Sequence, residues 1–234
     1  MTAPVVFIAA DPRECQPWVN HWEQIRTVAL PVHWARAGRW MGRDVLALAN
    51  GAGAERARAA VEAAPDPSAI CNIGFCGALD ESLQPGDIFV ATEVRNGTRI
   101  YSAQGPQTMN PGKIPAKSGI LVSVPRVVET ALAKRQLRNT GAFVVEMEAA
   151  AVARASEQLN VPFYCIRAVS DLANEDFAND FNRCFMPDGR INAARLILGA
   201  LPSPVRRFGE LIRLSRRTAL ASRNLGEFLG NCTF

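Results

Sequence analysis

The feature that most restricts the fold of this 234-residue sequence is the alternation of short apolar runs with Ala-rich segments of helical periodicity. Residues 4–10, 69–73 and 162–169 predict buried strands, whereas residues 54–64 and 148–159 predict helices. Strands that alternate with helices build a sheet covered on both faces. We therefore predict a three-layer α/β/α domain with an open, mixed central sheet and a ligand at the carboxyl ends of its strands.

Three further segments refine this prediction. The segment Gly74-Phe75-Cys76-Gly77 is expected to close the strand at residues 69–73. Residues 32–37 and 43–49 predict a strand pair around a glycine turn. Residues 95–118 are rich in Gly, Pro, Asn and Ser with weak periodicity, which predicts a mobile loop that flanks the site.

Composition excludes several classes of protein. Apolar residues make up 48% and charged residues 21% of the chain, which is typical of a folded globular domain. No apolar run approaches the roughly 20 residues of a membrane span, and the first ten residues lack the pattern of a secretion signal, so we expect a cytoplasmic protein. Six cysteines without a CxxC pair and two histidines predict reduced thiols and no metal site.

Residues 203–234 differ from the rest of the chain in charge, because six arginines lie between residues 206 and 223. The pattern of residues 205–229 predicts a basic amphipathic helix, and we divide the chain into a domain of residues 1–202 and this tail. The helix either packs on the domain or a neighbouring subunit, or lies on an anionic membrane surface. Binding to nucleic acid is not expected, since the basic residues lack interleaved aromatic side chains.

Carboxylates at strand ends are the main candidates for chemistry. Glu14 follows the first strand, the segment Val145-Glu146-Met147-Glu148 ends another, and Ser170-Asp171 closes the strand at 162–169. An apolar strand does not tolerate an unpaired charge, so each of these groups is either functional or held by a structural partner. Gly51 and Gly53 precede a helix and present either backbone N–H groups to an anion or a tight turn.

Four segments in this order resemble the nucleoside phosphorylase and nucleosidase superfamily: the first strand with Glu14, residues 72–78 followed by 83–87, the segment VEMEA at 145–149, and RAVSD at 167–171. The resemblance implies a homo-oligomeric enzyme that acts on a purine nucleoside without a metal or organic cofactor. It also implies that Glu14 activates water and that Asp171 acts as a general acid at purine N7.

By the same resemblance, Glu148 binds the ribose 2′- and 3′-hydroxyls, Met147 packs against the sugar, and Ser170 orients Asp171. The remaining predicted substrate contacts are Phe75, Cys76, Gly77, Val127, Val128 and Glu146. The physical chemistry agrees with these roles, because breaking a ribosyl bond creates a cationic sugar and negative charge on the leaving base.

Two alternatives to hydrolysis stay open. Phosphorolysis needs phosphate as co-substrate, which Arg13 or the loop at Gly51 and Gly53 is available to hold, but Glu14 and Asn72 stand where related phosphorylases place arginines, and Phe75 replaces a serine. We therefore favour hydrolysis of an adenine-type nucleoside. The other alternative is a non-catalytic nucleoside-binding or membrane-surface module.

A looser resemblance connects residues 124–128, residues 186–192 and the basic tail to the subgroup called hopanoid-associated phosphorylases. Proteins of that subgroup are thought to remove adenine from an adenosyl-hopane lipid. The resemblance implies a large apolar 5′ group on the substrate and a peripheral contact of the tail with a membrane.

Overall fold

The computed structural model describes residues 3–110 and 112–234. Its strands are β1 (Val5–Ala9), β2 (Glu23–Thr27), β3 (Trp34–Trp40), β4 (Arg43–Ala49), β5 (Ala69–Ala78), β6 (Ile88–Asn96), β7 (Arg99–Ser102), β8 (Gln107–Thr108), β9 (Ala116–Ser123), β10 (Val144–Glu146), β11 (Phe163–Asp171) and β12 (Cys232–Thr233). Its α-helices are α1 (Gln16–Val19), α2 (Ala54–Ala63), α3 (Ala131–Arg138), α4 (Ala149–Leu159), α5 (Ala193–Ala200) and α6 (Pro204–Leu229). Short 3-10 turns span Pro12–Glu14 and Asn182–Cys184.

Ten of the described strands form one mixed sheet in the order β10-β9-β6-β11-β5-β1-β4-β3-β2, with β7 paired to β6. Strand β5 runs parallel to β1 and β11, whereas β6 runs antiparallel to β11. The predicted mixed sheet is therefore confirmed. The prediction of an open sheet was wrong at one end, because β10 pairs with β9 and also with β5. Closure of this circuit gives both edges of β10 a partner, which an open edge lacks.

Helices cover both faces of the sheet because successive residues of a strand point in opposite directions. In β1, Val6 and Ile8 pack in a core cluster with residues of α2 and α4. Val5 and Phe7, on the other face, pack in a second cluster with residues of α1 and α6. Both faces of the central strands are thus buried, and the predicted three-layer arrangement is confirmed.

The second half of α6 belongs to the core of the domain. Ala221, Leu225, Phe228 and Leu229 are buried against the sheet, and after the helix β12 pairs with β8. The first half of α6 carries exposed apolar and basic side chains. Packing on the domain therefore describes the second half, while the chain division at residue 202 stays a prediction. Among the described residues, no helix combines the length and the apolarity needed to cross a bilayer.

The strand at residues 69–73 does not end at Gly74, because β5 continues to Ala78. Its glycines allow side chains from neighbouring segments to approach. A Cβ at Gly74 would lie 2.6 Å from Nη1 of Arg167, and a Cβ at Gly77 would lie 2.9 Å from Oδ2 of Asp171. Glycine within a strand often marks such a close approach.

Two other parts of the fold differ from the predictions. Residues 95–118, predicted as a mobile loop, contain the end of β6, the strands β7 and β8, and the start of β9, with residue 111 outside the described residues. Strand β2 was not predicted, because all five of its residues are exposed and therefore show no apolar alternation. Exposed edge strands give the weakest sequence signal, since burial produces the period of two.

We expect Leu225→Ala in α6 to lower the free energy of unfolding by about 2–5 kcal/mol, because it leaves a cavity in a fully buried site. Val205→Ala on the same helix is the control, since that side chain is 91% exposed. Chemical denaturation of both variants measures the difference. Equal stability of Leu225→Ala and wild type would show that the helix does not contribute to the core.

Candidate active site

Three connections of the fold bring carboxylates to one end of the sheet. Strand β1 leads through a 3-10 turn to Glu14, β10 leads to Glu148 before α4, and β11 ends at Asp171. The register of β11 against β5 shifts between Val169 and Asp171, and such a bulge re-aims the side chains beside it. All three carboxylates line one pocket of about 410 Å³.

The predicted substrate contacts line the same pocket. They are Phe75, Cys76, Gly77, Val127, Val128, Glu146, Met147, Glu148 and Ser170. The structure thus brings together side chains from four separate parts of the sequence. Their individual roles toward a substrate stay predictions.

Glu14 is held by backbone groups and keeps capacity for one further donor. Its Oε2 accepts from the N–H groups of Ala10 at 2.8 Å and Asp11 at 2.9 Å, and its Oε1 accepts from Phe75 at 3.0 Å. A carboxylate has about four acceptor positions, so one position is left for a water. Burial raises the pKa of Glu14, although these hydrogen bonds and Arg167 oppose the rise. A carboxylate of raised pKa is a stronger base.

Glu146 is occupied by structural partners. Its Oε2 accepts from the N–H groups of Glu148 at 2.9 Å and Ala149 at 2.8 Å and from the Arg167 guanidinium, and its Oε1 accepts from the Ser123 hydroxyl. Four donors fill the usual capacity of a carboxylate. Glu146 therefore fixes the start of α4 and pairs with Arg167, and its contact with a substrate stays a prediction.

Glu148 lies next to this pair, at the start of α4, and its Oε1 accepts from the N–H of Gly53 at 2.7 Å. Burial, and then the charge of Glu146, raise the pKa of Glu148 to about 8, while Arg167 opposes the rise. Glu14, Glu146 and Glu148 are all buried and all interact with the same arginine. Burial, and then the local excess of acidic groups, explain why Glu148 resists ionisation.

Asp171 has two partners, one predicted and one not. The Ser170 hydroxyl donates to its Oδ1 at 2.8 Å, which agrees with the predicted orienting role of Ser170. The Lys134 ammonium donates to its Oδ2 at 2.5 Å and also to the carbonyl oxygen of Leu172 at 2.7 Å. The predicted acid of the site is therefore one half of a buried ion pair.

The glycine loop at residues 51–53 does not offer free donors to an anion. The N–H of Gly51 donates to the carbonyl of Ala10, the N–H of Ala52 to the carbonyl of Gly189, and the N–H of Gly53 to Glu148. A Cβ at Gly51 would lie 2.2 Å from the carbonyl oxygen of Asp188, so glycine serves close packing of the two loops. The N–H groups of this loop are thus engaged within the chain, and the anion site at Gly51 and Gly53 stays a prediction.

Arg13, the third member of that predicted anion site, lines the pocket but is turned toward Asp11. Its Nε lies 2.8 Å from Asp11 Oδ1, and 71% of its side chain is exposed. The Asp11 carboxylate raises the pKa of Arg13 through this hydrogen bond. Arg13 therefore pairs with a carboxylate at the protein surface, and its role toward an anion stays a prediction.

The part of the pocket formed after β11 is strongly apolar. Its lining includes side chains from the segment that follows Asp171 and from α5 and α6, namely Phe177, Phe181, Phe185, Ile191, Leu196, Leu211 and Leu214. Phe177 and Phe181 pack edge to face with ring centroids 5.1 Å apart. This apolar lining adjoins the carboxylates, so the pocket has a polar end and an apolar end.

Sequence reasoning did not identify two charged residues of the site. Arg167 lies within an apolar strand, and a charge in such a run was a usable signal for a buried ion pair. Lys134 gave no signal, because it lies on a short helix with arginines at positions 135 and 138 and resembles a solvated face. Its partner Asp171 is 37 residues away in the sequence.

All six cysteines are free and buried in this structure. Burial raises the pKa of Cys71 and Cys76 well above the usual value, which keeps these thiols protonated. Within residues 3–110 and 112–234, no group of three or more His, Cys, Asp or Glu is placed to hold a metal ion.

We expect Glu148→Gln to remove a pH dependence of stability. The pKa of Glu148 rises from 4.5 to about 8 on folding, so between these values the native state binds more protons than the unfolded chain. Wild type therefore loses stability as pH rises through this window. Glutamine does not titrate, so the variant becomes more stable relative to wild type from below pH 4.5 to above pH 8.

Chemical denaturation at both ends of this window measures the effect. Glu227→Gln is the control, because Glu227 is exposed on α6. Parallel pH courses of Glu148→Gln and wild type would contradict the raised pKa of Glu148.

Comparison with known proteins adds relatives to this geometry. A curated relative from Staphylococcus aureus, a 5′-methylthioadenosine/S-adenosylhomocysteine nucleosidase, is 29% identical in a match that covers 56% of this chain and 68% of the relative. The nucleosidase of that name from Neisseria meningitidis, solved with methylthio-immucillin-A, superposes with a TM-score of 0.71 at 20% identity over 97% of each chain.

Futalosine hydrolase of Helicobacter pylori superposes with a TM-score of 0.74 at 15% identity, over 98% of this chain and 96% of that one. At these identities the two structures show a shared fold. The family model described as the phosphorylase superfamily matches residues 4–202. Since this match covers most of the sequence, the chain belongs to the phosphorylase superfamily.

Proposed function

We propose that this protein hydrolyses the N-glycosidic bond of an adenine-type purine nucleoside and releases the free base and the sugar. The observation that carries the proposal is the buried Glu14 carboxylate, which retains one acceptor position in the pocket that it shares with Asp171. The relatives from S. aureus and N. meningitidis are named as nucleosidases of adenine nucleosides, which supports this choice.

Asp171 serves the leaving base in this mechanism. As the bond between sugar and base breaks, negative charge gathers on the purine, and a proton delivered to N7 neutralises it. Ser170 holds the Asp171 carboxyl through a hydrogen bond of 2.8 Å. A fixed donor stabilises the transition state without the cost of orienting it during the reaction.

Glu148 and Met147 serve the sugar. Hydrogen bonds that the ribose 2′- and 3′-hydroxyls donate to Glu148 favour its ionised form and so counter its raised pKa. The carboxylate then places negative charge near the cationic sugar. The N–H of Gly53 holds Glu148 Oε1, which leaves Oε2 for the hydroxyls. Met147 lines the pocket beside it and offers an apolar surface for the ribose ring.

Water rather than phosphate is the proposed nucleophile. The described residues that line the pocket include two cationic side chains, Arg13 and Arg126, and both are exposed. Asn72, at a position where related phosphorylases place arginine, is buried and donates to the carbonyl of Ile8. A phosphate would need donors that the chain uses for its own carboxylates, whereas a water needs the free position on Glu14.

We expect wild type to release the free base and the free, unphosphorylated sugar at the same rate with and without phosphate. Asp171→Asn and Glu14→Gln should each lower kcat by about 10²–10⁴-fold, because each removes one proton-transfer group. Mass spectrometry of base and sugar after incubation with methylthioadenosine, adenosine and inosine provides the measurement. Asp66→Asn, at an exposed carboxylate, is the control.

Ribose 1-phosphate that forms only with phosphate would overturn hydrolysis in favour of phosphorolysis. Release of base at the same low rate by wild type and Asp171→Asn would favour a non-catalytic nucleoside-binding module. Activity of Asp66→Asn equal to that of wild type ties any loss to the pocket.

We also propose that the 5′ substituent of the substrate is large and apolar. In this proposal the protein surface around the apolar end of the pocket contacts a membrane. Outside the pocket, exposed apolar side chains lie on α5 (Ile197 and Leu198), directly after it (Leu201) and at the start of α6 (Val205). Exposed arginines at positions 195, 206 and 216 lie on the same two helices. Apolar side chains beside arginines suit binding to anionic lipid headgroups. The looser resemblance to hopanoid-associated phosphorylases supports the same substrate class.

We expect the double variant Leu198→Glu/Val205→Glu to sediment less with vesicles of anionic phospholipid than wild type does. Deletion of residues 203–234 is unsuitable for this test, because it would remove the buried half of α6. Ile100→Glu/Leu132→Glu is the matched control, since both residues are exposed apolar side chains outside α5 and α6. Equal sedimentation of all three proteins would refute the membrane contact.

A further inference from the structure

We infer that Lys134 is a positioning residue for the leaving base: its ammonium holds the Asp171 carboxyl and supplies the proton that Asp171 delivers to the purine. This inference rests on the proposed function. Lys134 is not among the residues that line the pocket, whereas Asp171 is, so Lys134 acts through that carboxyl.

The Lys134 ammonium makes two hydrogen bonds and lies over one aromatic ring. Nζ of Lys134 lies 2.5 Å from Oδ2 of Asp171, 2.7 Å from the carbonyl oxygen of Leu172, and 5.0 Å from the centroid of the Phe177 ring. Asp171 and Phe177 both line the pocket. The positive charge is therefore placed one side chain away from the space for the base.

Because Lys134 is buried, its ammonium carries a desolvation penalty that a purely structural role does not require. The residue is 0% exposed, and transfer of an ammonium out of water carries a large penalty that an ion pair does not fully offset. An apolar side chain would pack α3 against the sheet without that penalty. Arg135 and Arg138, the next basic residues of α3, are not fully buried, so burial is particular to Lys134.

The proton moves from the Lys134–Asp171 pair toward the purine. As the C1′–N9 bond breaks, its electron pair passes to the purine, the Nζ–H bond of Lys134 breaks, and Oδ2 of Asp171 takes the proton and passes it to N7. Water bonds to C1′ and gives its proton to Glu14. After the base leaves, solvent returns a proton to the Lys134 amine and accepts one from Glu14.

The test compares two substrates. One is the nucleoside that wild type cleaves, and the other is p-nitrophenyl β-D-ribofuranoside, whose leaving group has no N7 and needs no proton. We expect Lys134→Met to lower kcat on the nucleoside by about 10²–10⁴-fold, with little change in KM and little change on the nitrophenyl riboside. Lys134→Gln, which keeps a hydrogen bond but no ammonium, should behave likewise, and Lys134→Arg, whose guanidinium keeps its protons, should retain the ion pair without recovering the rate.

A second measurement uses the nucleoside alone. If Lys134 acts through Asp171, the double variant Lys134→Met/Asp171→Asn should be no slower than Asp171→Asn. Arg135→Met, at an exposed position on the same helix, is the control, and circular dichroism checks that each variant folds. The double variant and Lys134→Gln keep the test open if Lys134→Met alone unfolds.

Multiplicative losses in the double variant, or equal losses on both substrates, would overturn the inference and leave Lys134 with a structural role. An active wild type with an unaffected Lys134→Gln would also overturn it while the proposed function stands. A wild type that releases no base from any nucleoside would instead refute the proposed function, and the inference with it.

Discussion

Arg167 is the buried cation on which the acidic end of the sheet depends. It pairs with Glu146 and donates to Asn72, and its charge lowers the pKa of both Glu14 and Glu148 against the effect of burial. Three carboxylates without this cation would repel one another in a medium that screens charge poorly. The position of Arg167 in the middle of β11, next to β5, keeps the distances among these groups fixed by the sheet itself.

The site also divides the available backbone donors among its own carboxylates. Ala10, Asp11 and Phe75 give their N–H groups to Glu14, and the start of α4 gives two to Glu146. Related uses of strand ends and helix starts in proteins serve bound anions. Here the anions are side chains of the chain itself, which fixes the orientation of these carboxylates and leaves little donor capacity for a second ligand of high charge.

Much of the fold was predictable from the sequence because burial imposes a pattern. Buried strands such as β1 and β11, and the helix at α4, showed apolar periodicity, and their ends located Glu14, Glu148 and Asp171. The features that the sequence did not indicate depend on contacts between residues distant in the sequence. The pairing of β10 with β5, the engagement of Glu146 by Arg167 and the approach of Lys134 to Asp171 have no local pattern.

The predicted glycine-loop site shows the same limit. Gly51 and Gly53 have the positive φ angles that a turn requires, and local pattern alone does not distinguish a turn that binds an anion from one that packs on another loop. In this structure Gly51 packs against residues 188 and 189, and this contact joins segments more than 130 residues apart in the sequence. Sequence therefore indicated where the chain turns but not which acceptors its N–H groups find.

The two ends of the pocket have different origins in the chain. The groups assigned to chemistry lie on β5 and β11 or shortly after β1 and β10, so the sheet fixes their places, whereas the apolar lining comes mainly from residues 177–214, which follow β11. Changes in this later segment can alter which substituents fit while the reacting groups keep their places. The groups assigned to chemistry and the residues that select the substituent thus lie in different parts of the sequence. Substrate range can therefore diverge between relatives that share one reaction.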